Sequence, residues 1–135
     1  MTITKINPPA LPVPMGYTQV VATMGTRTIY VAGQVAVDAI GNVVAPGDVI
    51  GQARRAFANV KSAVEAAGAT VEDIAKVTWY VVGFRAELLP HLASARRDVF
   101  GDHAPASTLI GVAALASPDF LVEVEAVAVL DEQQA

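Results

Sequence analysis

Toward its C-terminal end the chain alternates between apolar and charged or partly apolar positions. From residue 121 onward, Val122, Val124 and Ala126 fall on one side, while Leu121, Glu123, Glu125 and Val127 share the other. A period of two marks a strand, whose successive side chains point to opposite faces. Residues 104–130 therefore read as two strands joined by a turn at Ser117-Pro118-Asp119. Glu123 and Glu125 lie inside a run that otherwise favours burial, and an ionised carboxylate leaves water only at a large cost unless it is paired or hydrogen-bonded. Two readings follow: one of the pair is functional or interfacial, or both face solvent from the open side of an antiparallel sheet.

Upstream the pattern is also β-rich at first. Residues 2–14 include Pro8, Pro9, Pro12 and Pro14 and read as an extended arm, because proline fixes φ and biases the residue before it away from helix. Residues 18–24 and 28–32 flank Gly25-Thr26-Arg27 and read as a hairpin. Val35-Ala36-Val37 and Val43-Val44 flank a second turn at Asp38 to Asn42. The period then changes. Ile50, Ala53, Phe57, Val60 and Val64 recur at intervals of three and four, so a helix is predicted from an Asp48 N-cap to Ala67, with Gly68 just beyond it. A capped turn at Thr70 to Asp73 leads into a strand at about 75–82. Leu88, Leu92, Ala95 and Val99 mark a second helix to Phe100, where Pro90 is tolerated in the first turn and Gly101 closes the end.

The order strand-rich, helix, strand, helix, two strands predicts an α+β domain spanning residues 1–135, with one mixed sheet and both helices packed on one face. Val77, Trp79 and Val81 alternate with Thr78, Tyr80 and Val82, so the middle strand is bulky on both sides. Two helices cover one face only, and self-association is the expected cover for the other. Composition agrees: 53% of residues are apolar and 16% charged, an excess expected to lie partly in a subunit interface.

The net charge of −4 comes with no Lys/Arg cluster, which argues against nucleic acid and an anionic membrane surface as partners. The absence of cysteine excludes disulfides, thiolate nucleophiles and zinc–cysteine sites. Neither metal nor cofactor is expected. The prolines stand where a signal peptide would need its apolar core, so a cytoplasmic protein is expected.

Candidate chemistry is sparse. There is no glycine-rich phosphate loop, no G-x-S-x-G elbow and no paired-histidine motif. His91 and His103 read as surface or capping histidines, Tyr17 as a packing aromatic and Arg85 as a solvated loop arginine.

Several segments nevertheless resemble one family. Met15-Gly16-Tyr17-Thr18-Gln19, Val31-Ala32-Gly33-Gln34, Ala66-Ala67-Gly68-Ala69, Pro105-Ala106-Ser107-Thr108-Leu109 and Val122-Glu123-Val124-Glu125-Ala126 are similar, in order and spacing, to the RidA/YjgF family of reactive-intermediate deaminases. The resemblance implies a chorismate-mutase-like fold, a homotrimer, and small-molecule clefts between neighbouring subunits. It implies Glu123 as the residue that orients the attacking water and Tyr17 as the cleft tyrosine, with Ser107, Thr108, Gly33 and Gln34 around the substrate. It also exposes a departure, because the members that hydrolyse enamines and imines carry an arginine where this chain has Ser107. A serine hydroxyl supplies neither the charge nor the bidentate reach of a guanidinium. Arg85 is a candidate replacement from a neighbouring loop. At this level the cleft fits three uses: imine or enamine hydrolysis, a different small-molecule reaction, and ligand binding or a chaperone-like role without turnover.

Overall fold

Asp48 accepts a hydrogen bond from the Gly51 amide at 3.0 Å and so starts α1 (Val49–Ala66), as the sequence predicts. Ala53, Phe57, Val60 and Val64 of this helix are fully buried, while Arg54 and Lys61 are exposed. The computed structural model describes residues 2–132. In it α1 is preceded by β1 (Thr2–Ile6), β2 (Val20–Met24) and β3 (Arg27–Val35), and followed by β4 (Ile74–Val82), α2 (Leu89–Phe100), β5 (Ala106–Val112) and β6 (Val122–Leu130). At the predicted turn before β4 the Asp73 carboxylate accepts from the Thr70 amide at 2.9 Å.

Four strands make one mixed sheet in the order β3-β6-β4-β5. β6 runs antiparallel to both β3 and β4, whereas β5 runs parallel to β4. Parallel neighbours need a crossover, and α2 supplies it. The last two strands are thus not adjacent: the turn at Ser117–Asp119 carries the chain from the edge strand past β4 to the centre of the sheet. Gln52, fully buried on α1, holds this crossing in place. Its Nε2 donates to Asp119 O at 3.0 Å and its Oε1 accepts from the Leu121 amide at 2.9 Å.

Both helices lie on one face of this sheet, as the pattern predicts. Val31, Val77, Trp79, Val81, Val122, Val124 and Ala126 point into a core shared with Phe57, Leu92 and Phe100. Phe57 is at its centre, edge-on to the rings of Trp79 at 4.9 Å and Phe100 at 5.0 Å. The opposite face carries Tyr30, Tyr80, Ile110, Glu123 and Glu125, and no layer among the described residues covers it; Tyr30 is 80% exposed.

The N-terminal region departs from the sequence expectation. β2 does not pair with β3 across Gly25; it pairs antiparallel with β1 in a separate two-stranded ribbon, and the supposed extended arm contributes that partner strand. Gly25 passes so close to β6 that a Cβ there would meet Val129 Cγ1 at 2.8 Å and Leu130 O at 2.9 Å. This close passage lets the chain step from the ribbon into the sheet instead of turning back along it. The ribbon and the arm are tied to the start of β5: the Thr18 amide donates to Pro105 O at 3.2 Å and Thr18 Oγ1 donates to Ala104 O at 2.5 Å. No helix among the described residues is long and apolar enough to cross a membrane.

Candidate functional site

Where the arm returns to the fold, Met15, Gly16 and Tyr17 face α2 and the core-side edge of β4 and β5 across a cavity of about 810 Å³. Trp79 and Ser107 form its sheet wall, joined by a hydrogen bond from Trp79 Nε1 to Ser107 Oγ at 2.8 Å. Leu109, two residues along β5 on the same face, and Leu92 of α2 extend the apolar lining. Tyr17 is half-buried, and its hydroxyl accepts from Gln19 Nε2 at 3.3 Å. Two residues flagged from the sequence, Tyr17 and Ser107, are therefore brought together across one cavity.

Glu123 lies elsewhere within a single chain. It is opposite Tyr80 on the uncovered face of the sheet, whereas Ser107 pairs with Val77 and faces the core. Its carboxylate packs on Gly33, where an added Cβ would meet Glu123 Cδ at 2.7 Å. Gln34, the next residue, is half-buried and donates from Nε2 two residues back to Ala32 O at 3.0 Å. Thr108 also faces the uncovered side, and its hydroxyl accepts from Lys76 Nζ at 2.7 Å. On that same face the Tyr80 hydroxyl donates to Glu125 Oε1. This bond to a carboxylate, with burial adding to it, raises the Tyr80 phenol above its ordinary pKa. The two carboxylates of β6 are thus differently engaged: Glu125 is hydrogen-bonded to a phenol and Glu123 is seated on glycine. Arg85 is exposed in the loop after β4 and is not in the cavity wall.

Two further basic groups border the cavity, and the sequence reading passed over both. Arg96 of α2 is only 4% exposed, and its Nη1 donates to His103 O at 2.9 Å. Burial lowers the guanidinium below its ordinary pKa, and the like charge of Arg97 adds to the effect. Arginine nevertheless remains cationic at any working pH. Arg97 is exposed on the same rim. The spacing of α2 hides Arg96, because its periodic leucines and alanines read as an ordinary buried stripe; the signal available was an arginine directly after Ala95 on that stripe.

His103, read as a surface or capping group, is instead buried, at 4% exposure. Its Nε2 lies 2.8 Å from Ile74 O, and a carbonyl only accepts, so Nε2 carries the proton. Nδ1 is then free to accept from Lys5 Nζ at 3.2 Å, with Glu72 Oε2 at 3.6 Å. Burial is the main cause that pushes the imidazole pKa below its ordinary value. His103 therefore bolts the ribbon and the start of β4 to the loop before β5. His91 is exposed on α2. Among the described residues no three His, Asp or Glu side chains converge in a way that would hold a metal.

Fold and cavity together define the class: an α+β protein with two helices packed on a mixed sheet, built like the Rid proteins. The Yersinia pestis protein YyfB, of the conserved Rid family and of unknown function, superposes with a TM-score of 0.90 at 34% identity, over 96% of this chain and all of that one. Escherichia coli TdcF, solved with bound serine, gives a TM-score of 0.66 at 31% identity, over 93% of this chain and 98% of that one. Residues 9–130 match the family described as Endoribonuclease L-PSP. A protein of the mite Dermatophagoides farinae, described as 2-iminobutanoate/2-iminopropanoate deaminase, is 32% identical over 93% of this chain and 95% of its own length. The chain belongs to the RidA/YjgF family.

Proposed function

We propose that the protein hydrolyses a reactive imine or enamine to a carbonyl compound and ammonia, in a cleft completed by a second subunit of a homotrimer. The carrying observation is the Glu123 carboxylate, seated on Gly33 on a sheet face that no layer among the described residues covers. A neighbouring copy on that face would bury Tyr30 and Ile110 and confine the carboxylate in a cleft. The kinship to a relative described as an iminobutanoate and iminopropanoate deaminase supports the same reading.

Glu123 takes a proton from water as the oxygen attacks the imine carbon. It passes that proton to the imine nitrogen to give a carbinolamine, then takes the proton of the adduct's hydroxyl and delivers it to nitrogen as the C–N bond breaks, so water and imine leave as carbonyl compound and ammonia. Tyr17 packs against or hydrogen-bonds the substrate from the adjoining copy, since Glu123 faces away from the Tyr17 side within one chain, and main-chain groups near Ser107 and Thr108 hold it. Such substrates are already electrophilic, and modest acid–base help is enough. A reaction on short-lived metabolic intermediates fits a cytoplasmic location. The test is to incubate the purified protein with imines generated freshly from a panel of amino acids and to follow ammonia release. Acceleration over buffer that is lost in Glu123→Gln supports the reading; release no faster than in buffer with every imine overturns it.

A further inference from the structure

A buried guanidinium normally sits opposite a carboxylate, because an unpaired charge held out of water is costly. Arg96 has no such partner: among the described residues no carboxylate lies within ion-pair distance of it, and its one protein acceptor is His103 O. That bond uses Nη1 alone. No side-chain nitrogen among the described residues is both fully enclosed and unpartnered, so the remaining Arg96 nitrogens are not sealed in protein. Arg96 itself lines the cavity, and its Nη2 stands 3.5 Å from where a Cβ on Gly16, another lining residue, would be. Arg97 adds a second positive charge at the rim, and no acidic side chain is in the lining.

The rest of the wall has a different chemistry. Trp79, Leu92, Leu109 and Met15 are apolar, and Ser107 has its hydroxyl engaged by the indole of Trp79. At about 810 Å³ the space is in the range that takes drug-sized ligands, well beyond the needs of a three- or four-carbon acid. A cationic donor set at one end of a large apolar cavity selects an anion with an apolar body.

The geometry points to Arg96 as the specificity-determining residue of this cavity. It grips the carboxylate of a ligand whose bulky apolar body lies against Trp79 and Leu109, with Arg97 strengthening the field at the rim. This deepens the proposed function by naming its ligand class, and it rests on that reading only for placing the cavity of one copy beside the Glu123 face of the next. The cation comes from α2, so a serine at position 107 is no defect. A small side chain there keeps the apolar space open, and a second arginine would stand beside an existing one.

Trp79 is the only tryptophan of the chain and forms a wall of the cavity, so its fluorescence reads occupancy directly. The probes are 4-phenylbutyrate, its uncharged amide 4-phenylbutanamide, and butyrate, titrated into the full-length protein at low and high salt. The acid is expected to bind at least about tenfold more tightly than either the amide or butyrate, as a charge-assisted contact to a desolvated guanidinium implies. Its affinity falls with salt, and falls a few-fold in Arg97→Gln, whose side chain is exposed and leaves the fold intact. In Arg96→Met, with folding checked by circular dichroism, acid and amide bind alike. If Arg96→Met does not fold, the wild-type comparison and Arg97→Gln decide. Equal binding of acid and amide by the wild type, no saturable binding of the acid, or an acid preference that survives Arg96→Met each overturns the inference. Failure of the two readings is distinguishable: acid-selective binding without imine turnover removes the proposed reaction and keeps this site. Imine turnover that is indifferent to Arg96 does the reverse.

Discussion

Trp79 donates its indole N–H to Ser107 Oγ at 2.8 Å, tying β4 to the edge strand β5 on the wall of the cavity. The same ring meets Phe57 edge-on, so one side chain links the centre of the core to the candidate site.

Ser107→Ala removes the acceptor from an indole that is 6% exposed. An unpaired buried donor costs about 1–3 kcal/mol, and water in the adjoining cavity brings the value toward the low end. The expected result is a lower melting temperature together with a red-shifted Trp79 emission; an unshifted emission would mean that the indole N–H has kept a partner.

Phe57→Ala deletes a fully buried ring in contact with Trp79 and Phe100. A loss of roughly 3–5 kcal/mol is expected, read from the denaturant midpoint with an unchanged slope.

Gly33→Ala tests the seat of Glu123. The added Cβ would stand 2.7 Å from Glu123 Cδ, so the carboxylate must move while the backbone of β3 is retained. Misplacing a catalytic group by an ångström costs up to about a hundredfold. Imine hydrolysis is therefore expected to drop by one to two decades with a near-native melting temperature. Unchanged rates would detach Glu123 from the chemistry.

Gln52→Ala leaves Asp119 O and the Leu121 amide without their partner just before the first residues of β6. With a penalty of about 1–3 kcal/mol for each group left dry, a marked fall in thermal stability is expected. Gln52→Glu separates the two bonds, since it keeps the acceptor for Leu121 and loses the donor to Asp119.

Stability should also fall on acidification through His103. Its folded-state pKa lies below the ordinary value, so the unfolded chain takes up the proton first. The contribution is complete above about pH 6.5 and is lost as the pH falls from there through the folded-state pKa. Melting temperature against pH for wild type and His103→Gln should show the steeper acid limb in the wild type; parallel curves would remove His103 from the linkage.

The local and periodic features were legible in the chain alone. The α1 face from Ala53 to Val64, its Asp48 cap, the Thr70–Asp73 turn, and the alternation of β4 and β6 follow from spacing and capping chemistry, which act between residues a few positions apart. The two-helices-on-one-face architecture follows from counting apolar faces. The pairing of β2 with β1 was decided only in three dimensions, because the strand pattern of residues 18–24 fits either neighbour and the choice turns on how closely Gly25 passes Val129. The same holds for β4 lying between β5 and β6. The site follows the same division. Tyr17, Ser107 and Glu123 stood out by type and motif, but their alternation could not say that Glu123 faces away from the cavity. Arg96 and His103 stood out least. A charged or polar side chain reads as surface in one dimension, and only packing contributed by Gly16, Ile74 and Lys5, far away along the chain, turns the one into a buried cation and the other into a bolt.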